Sequence, residues 1–435
     1  MVFSKTPRLT TKGARGLLFL FLALPISAEG VEVRPKAGFS FDYFGETYQV
    51  TDDRDTVTTI NDYGATLGVA VSRTAESPLK LRADGEVYYG HESARGRLLL
   101  HGEYHQGRNS FLIDQDAIVR IFHKGGDYSL SSDSFQDSAR LTWEHHLSAA
   151  TSMRLLHTFE ATVYSDPDQY NLNAFLQRPG INVRHRFGFG SEVRGGYQLG
   201  FRDVPDSSEL DSIRHLIDLE STILEGQFSF DVSDRLERRI YDEPSPRESS
   251  WENRSDGTLD WLRPGRIAGR LQYEVETVEY DEPDDLDFNF TRLRVSAGPL
   301  FRTESGIDLS LAPLYGMLYS QTAPAENYSD WALEVGLEIR FARTWISLSD
   351  EFGQRNYDIE ASANLIDFVN PQNTNSEGEG LYSDSTYNHL TALVSADVGR
   401  SISFHLFVNW EPEDHRLNRY DSDSRIVSGS VEYRF

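Results

Sequence analysis

The sequence predicts an all-β fold: one transmembrane antiparallel up-and-down β-barrel of about twenty strands, with 16–20 as the range. Three observations predict it. Apolar and polar residues alternate along most of the chain, the period of a strand with one greasy face. Short turns alternate with long polar segments, as in a strand meander whose two rims differ. After the N-terminal region, no stretch approaches the ~20 apolar residues that a membrane helix needs.

The chain has 435 residues, 68 acidic against 42 basic, and no cysteine. Its formal charge of −26 argues against a nucleic-acid partner, because phosphate binding needs clustered Lys and Arg. The lack of cysteine excludes a disulfide framework, thiolate metal sites and thiol catalysis. Aromatics are plentiful at 12%, mostly Tyr and Phe.

The first element is not expected in the mature fold. Lys5, Arg8, Lys12 and Arg15 precede the apolar run Leu17 to Ile26, and Ser27-Ala28 follow as a small-residue cleavage site. That is the pattern of a secretory signal peptide. The expected division is residues 1–28 as signal peptide and 29–435 as barrel. Cleavage removes four positive charges and no negative one, taking −26 to −30.

Strands follow. Leu79, Leu81, Ala83, Gly85, Val87 and Tyr89 enclose Lys80, Arg82, Asp84, Glu86 and Tyr88. Trp331 to Phe341 and Ile402 to Trp410 alternate in the same way. Short turns are expected near 76–78, 106–109, 148–152, 188–191, 264–266, 303–306, 342–344 and 399–401. Long segments are expected at 51–62, 124–137, 203–212, 242–256, 281–288, 320–329 and 358–384. Aromatics near strand ends suit the interfacial girdles of a membrane barrel. They are Tyr43, Tyr89, Trp143, Tyr164, Trp261, Tyr280, Tyr319, Trp331, Trp345 and Trp410.

The last residues run Ile426 to Phe435, with Val431, Tyr433 and Phe435 alternating to an aromatic end. This resembles the C-terminal strand of Gram-negative outer-membrane β-barrels, where it is the assembly signal. The resemblance extends over the mature chain as an architecture. It implies an outer-membrane location and insertion by the barrel-assembly machinery. The chain also looks broadly like the porin-like barrels that accompany surface-polysaccharide export loci.

With the apolar set facing lipid, the other set lines the lumen. Candidate pore-lining residues are Arg82, Asp84, Glu86, Arg140, Glu144, Arg184, Arg194, Arg292, Arg294, Glu334, Glu338 and Arg340. The lining is nearly charge-balanced, so most of it reads as cross-strand ion pairs bracing a wet wall. A barrel this wide is not filled by its own side chains. Its lumen is expected to be open, occluded by loops or filled by a partner. Leu365, Ile366, Phe368 and Val369 form an apolar cluster in the longest polar segment, a candidate constriction loop.

Most remaining charge falls on predicted loops, for example Asp52-Asp53, Asp166-Asp168, Asp281-Asp287 and Glu411-Asp414. Such loops suit contact with lipopolysaccharide through divalent cations, which favour clustered oxygen ligands. No cofactor is expected otherwise. There is no HExxH, GxSxG or phosphate-binding glycine loop. His145-His146 fall on opposite faces of a strand, poor geometry for one ion. The expected function is therefore a channel, passing hydrophilic solutes or exporting a surface polysaccharide. A scaffold that sheathes an export-system or lipoprotein partner is the alternative, and an outer-membrane hydrolase with a rim site ranks below both.

Overall fold

A computed structural model describes residues 31–51, 54–73, 78–123, 133–167, 171–242, 245–261, 267–284, 287–358, 383–416 and 421–435. The expected signal peptide and the apolar cluster Leu365 to Val369 lie outside the described residues.

Twenty strands form one sheet, each antiparallel to its sequence neighbours. They are β1 Val31–Thr51, β2 Arg54–Arg73, β3 Leu79–Gly90, β4 Ser93–Gln106, β5 Asn109–Phe122, β6 Ser134–His146 and β7 Thr151–Tyr164. Then come β8 Ala174–Arg186, β9 Glu192–Asp203, β10 Ser212–Glu225, β11 Phe228–Tyr241, β12 Ser250–Trp261, β13 Ile267–Tyr280 and β14 Phe290–Arg302. The last six are β15 Ile307–Tyr319, β16 Tyr328–Phe341, β17 Thr344–Tyr357, β18 Ser385–Val398, β19 Ile402–His415 and β20 Ser422–Arg434. β1 also pairs with β20, from Lys36 opposite Arg434 upward, so the sheet closes without an edge. Closure matters because lipid offers no hydrogen bonds to a free edge. No helix among the described residues is long and apolar enough to cross a membrane.

Alternation assigns the two faces. The outer face carries exposed apolar residues such as Leu67, Ile113, Leu141, Ile217, Leu271 and Phe352. The inner face carries most of the ion pairs. Twenty strands spaced ~4.8 Å apart and tilted ~40° set opposite backbones roughly 40 Å apart.

Several connections differ from expectation. Segment 51–62 is mostly strand, because β1 runs to Thr51 and β2 starts at Arg54. The β-branched run Thr56 to Ile60 favours extension over a loop. Residues 250–256 belong to β12, and Glu411-Asp414 lie in β19 rather than in a loop. β3 and β4 are joined by His91-Glu92 alone. Gly226-Gln227, between β10 and β11, is a turn the pattern did not single out.

The two rims close differently. On the rim holding the barrel's termini, Gly107, Gly190, Gly226, Gly306 and Gly399 all have positive φ, which glycine adopts without a Cβ penalty. On the other rim, the residue before a strand clasps the end of the strand before it. Phe122 N–H donates to Asp133 at 2.8 Å, Tyr164 N–H to Asn173 at 2.7 Å and Val204 N–H to Asp211 at 2.7 Å. Tyr241 N–H donates to Ser249 at 3.1 Å, Tyr280 N–H to Asn289 at 2.7 Å and Ser320 N–H to Asn327 at 2.5 Å. Asp384 and Asp421 accept in the same way from Tyr357 and His415. The carbonyls of Asp133, Ser249, Asn327 and Asp384 in turn accept N–H groups from the next loop, at 2.8–3.0 Å. The result is a hydrogen-bonded collar. Its clasp positions fall at 133, 173, 211, 249, 289 and 327, a repeat of one hairpin length.

Candidate functional site

The lumen wall is the one surface that gathers the charged residues, and strand register decides which of them meet. Arg82 Nε donates to Asp84 within β3 at 2.6 Å. Lys36 of β1 joins Glu86 at 2.8 Å and Glu432 of β20 at 3.6 Å, linking strands on both sides of the barrel seam. Arg154 and Arg184 both reach Glu144, at 2.9 and 3.0 Å. Arg194 pairs with Glu220 at 2.9 Å. Arg292 spans Glu274 and Glu276 at 3.1 and 2.8 Å. Glu338 accepts from Arg340 at 2.6 Å and from the Trp345 indole at 2.7 Å. Arg140 and Glu334 make no ion pair among the described residues.

One cluster is built more tightly than the rest. Arg294 of β14 crosses two strands to reach both oxygens of Glu351 on β17, at 2.7 Å. Small residues clear its path: a Cβ on Gly316 would meet Asp330 at 2.0 Å. Tyr387, 2% exposed, lies over Gly353, where a Cβ would touch its ring at 2.5 Å. Its hydroxyl donates to Glu351 at 3.0 Å. Arg355 stacks over Tyr328 and Tyr387, at 4.7 and 5.4 Å from the ring centres, and pairs with Glu413 at 3.3 Å. Tyr88 repeats the motif on β3, lying over Gly90 beneath Arg95. These knots hold charge and ring in fixed geometry, so they stiffen the wall.

Three expected girdle residues face the lumen instead. Trp345 lies opposite Arg340, Tyr164 opposite Ser134 and Tyr280 opposite Ser250, all on the inner face. Tyr164 and Tyr280 are strand-terminal residues that fall in register with the inner-face residues of β7 and β13. Taking Trp345 as lipid-facing reverses β17, and so hides Glu351 and Arg355 from a sequence reading. The outer girdles are real elsewhere: Tyr89, Trp331, Tyr319 and Trp261 are exposed on the outer face. Val431 and Tyr433 lie on the outer face of β20, and Phe435 packs edge-on against Tyr433 at 4.7 Å.

Among the described residues no group of three or more His, Asp or Glu is arranged to hold a metal ion. His145 instead contacts Asn109 at 2.9 Å.

A closed antiparallel barrel with an apolar outside and a charged inside has the architecture of Gram-negative outer-membrane β-barrels. The chain resembles the alcaligin outer-membrane receptor FauA from Bordetella pertussis with a TM-score of 0.54. The identity is 10%, over 92% of this chain and 76% of that one. It is also similar to the siderophore receptor PirA from Pseudomonas aeruginosa: TM-score 0.49, 9% identity, 92% and 80% covered. OprD from Pseudomonas aeruginosa gives 0.47 at 10% identity, with 94% and 97% covered. No protein-family model and no curated protein sequence matches the chain.

Proposed function

We propose that this chain is an outer-membrane channel for hydrophilic solutes. The observation that carries the reading is the closed twenty-strand wall, charged inside and apolar outside. Opposite backbones roughly 40 Å apart leave more room than two layers of side chains fill. In this reading the N-terminal segment directs export, and the barrel-assembly machinery recognises the strand ending in Val431, Tyr433 and Phe435. The collar rim faces outward, with its acidic loops against lipopolysaccharide and divalent cations, and the glycine-turn rim faces the periplasm. A surface polysaccharide is one such solute, because the lining combines ion pairs with many hydroxyls.

The test is planar-bilayer recording of the folded mature barrel. Stepwise ohmic conductance is expected. A folded barrel that stays silent, and that purifies with a stoichiometric partner protein, overturns the reading in favour of a scaffold.

A further inference from the structure

The closing seam of the barrel builds a recess in the inner wall. Register places three strands side by side there. His405 of β19 lies opposite Ser430 of β20, which lies opposite Ser40 of β1. One step along, Phe407 lies opposite Ser428, which lies opposite Asp42. One step the other way, Glu432 lies opposite Gly38. Partners in such a grid stand about 5 Å apart. Small residues at the centre leave a hollow of about 350 Å³, and Phe407, Arg95 and the Lys36–Glu86 pair rise around it. That volume is at the small end of ligand pockets, which run ~300–1,000 Å³.

The groups facing the hollow differ from the rest of the wall. Elsewhere most charged side chains of the wall are spent on one another, Arg140 and Glu334 excepted. Here Asp42, His405, Ser428 and Ser430 make no hydrogen bond or ion pair among the described residues. The Ser40 hydroxyl is buried and has no hydrogen-bond partner among the described residues. Unmet hydroxyl, imidazole and carboxylate groups beside an aromatic ring are a distinctive set. Hydroxyls and a carboxylate exchange hydrogen bonds with a polyol, and the ring takes an apolar C–H face. An anionic ligand gains little, because Lys36 is neutralised by Glu86 and Glu432, and Arg95 is opposed by the Asp42 carboxylate.

We infer that the seam recess is a binding subsite for one unit of a neutral sugar. The inference deepens the channel reading by naming a solute class, and it rests on that reading for its role in passage. Its occupation does not depend on flow.

The experiment uses the folded mature barrel and maltotriose as the probe. Binding is followed by calorimetry in detergent and by blockade of single-channel current in a bilayer. Two variants are compared with wild type: Ser430→Leu, which fills the hollow, and Phe407→Ala, which removes the platform. Resistance to unfolding on an unheated gel verifies the fold of each. Maltotriose is expected to bind wild type in the millimolar range, and either variant should weaken it at least tenfold while leaving open-channel conductance unchanged. Trigalacturonate, the charged control, should bind more weakly than maltotriose. Undiminished maltotriose binding in folded Ser430→Leu and Phe407→Ala overturns the subsite, as does a wild type that binds none. A barrel that conducts yet ignores maltotriose loses the subsite and keeps the channel. A silent barrel that binds it loses the channel and keeps the subsite.

Discussion

The two rims of this barrel solve one problem by different chemistry. On the glycine rim five of the described hairpins turn by local backbone geometry, and the glycine that permits it sits at the turn itself. On the collar rim the strand ends are held by side chains that come from the far end of a loop. The first device depends on one residue's φ and tolerates few replacements. The second depends on a hydrogen bond between distant positions, and leaves the intervening loop free to vary in length. The loops between clasps range from six residues at 416–421 to 27 at 358–384, while the clasp itself stays the same. A barrel can thus diversify its outer surface without loosening its wall.

The contrast can be broken most severely at Gly306. Its φ is +82°, and a Cβ there would meet the Arg340 carbonyl at 2.3 Å. Gly306→Ala should cost about 3 kcal/mol, from left-handed strain plus crowding. Gly226 has φ +59° and open space around it, so Gly226→Ala should cost only about 1 kcal/mol. Urea unfolding of the two variants in lipid checks this. Equal losses would mean that crowding by the neighbouring strand plays no part.

At the β3–β4 turn on the collar rim, Asp62→Ala comes next. Asp62 accepts from Glu92 N–H at 2.9 Å and from the Ser93 hydroxyl at 2.6 Å, and both its side chain and that of Ser93 are buried. One buried and one half-buried donor lose their partner, so about 2 kcal/mol should go. Asn327→Ala removes a single clasp, on Ser320 N–H, and should cost about 1–2 kcal/mol. Hydrogen exchange at Ser320 gives an independent readout. It should quicken in Asn327→Ala while Tyr280 N–H, held by Asn289, stays protected. If both amides quicken together, the clasps act as one unit rather than singly.

These effects also mark what the sequence makes legible. Alternation is local, so the number of strands and the facing of Arg82, Asp84, Glu86 and their like can be read directly. Glycine turns are local too, although Gly226 was passed over inside a continuous charged and apolar stretch. Facing at strand ends is not local. A Trp beside a turn reads as a girdle residue, yet Trp345 is committed to the lumen by lying opposite Arg340. Partnerships across the wall are further from reach. Arg294 and Glu351 are separated by two whole strands, and nothing near either names the other. The recess is beyond local reading altogether, because closure of β1 on β20 creates it. The collar lies between these cases. Its signal is Asp, Asn or Ser recurring every 38–40 residues, visible only once the hairpin length is known.

The smallest test of the rim contrast is its pH dependence. The Gly226-Gln227 turn carries no titrating group, whereas the collar includes an ion pair at its outer edge. Arg238 forks onto Asp281 at 2.8 and 2.6 Å, while stacking over Trp251 at 5.3 Å. The guanidinium holds the Asp281 carboxyl below its usual range, chiefly by hydrogen bonding, with its charge adding and partial desolvation opposing. A carboxyl depressed in the folded state stabilises at pH values above its ordinary pKa, and loses that contribution as pH falls through the depressed one. Asp281 is 47% exposed, so solvent and salt screen most of the effect. Asp281→Asn should therefore lower the unfolding midpoint slightly at pH 7 and low ionic strength. The gap to wild type should close as the solution is acidified, and also as salt is raised at pH 7. Gly226→Ala, measured alongside, should keep a constant gap across the same range. A gap for Asp281→Asn that persists into strong acid would mean that this position contributes through side-chain packing, and that the collar carries no electrostatic component there.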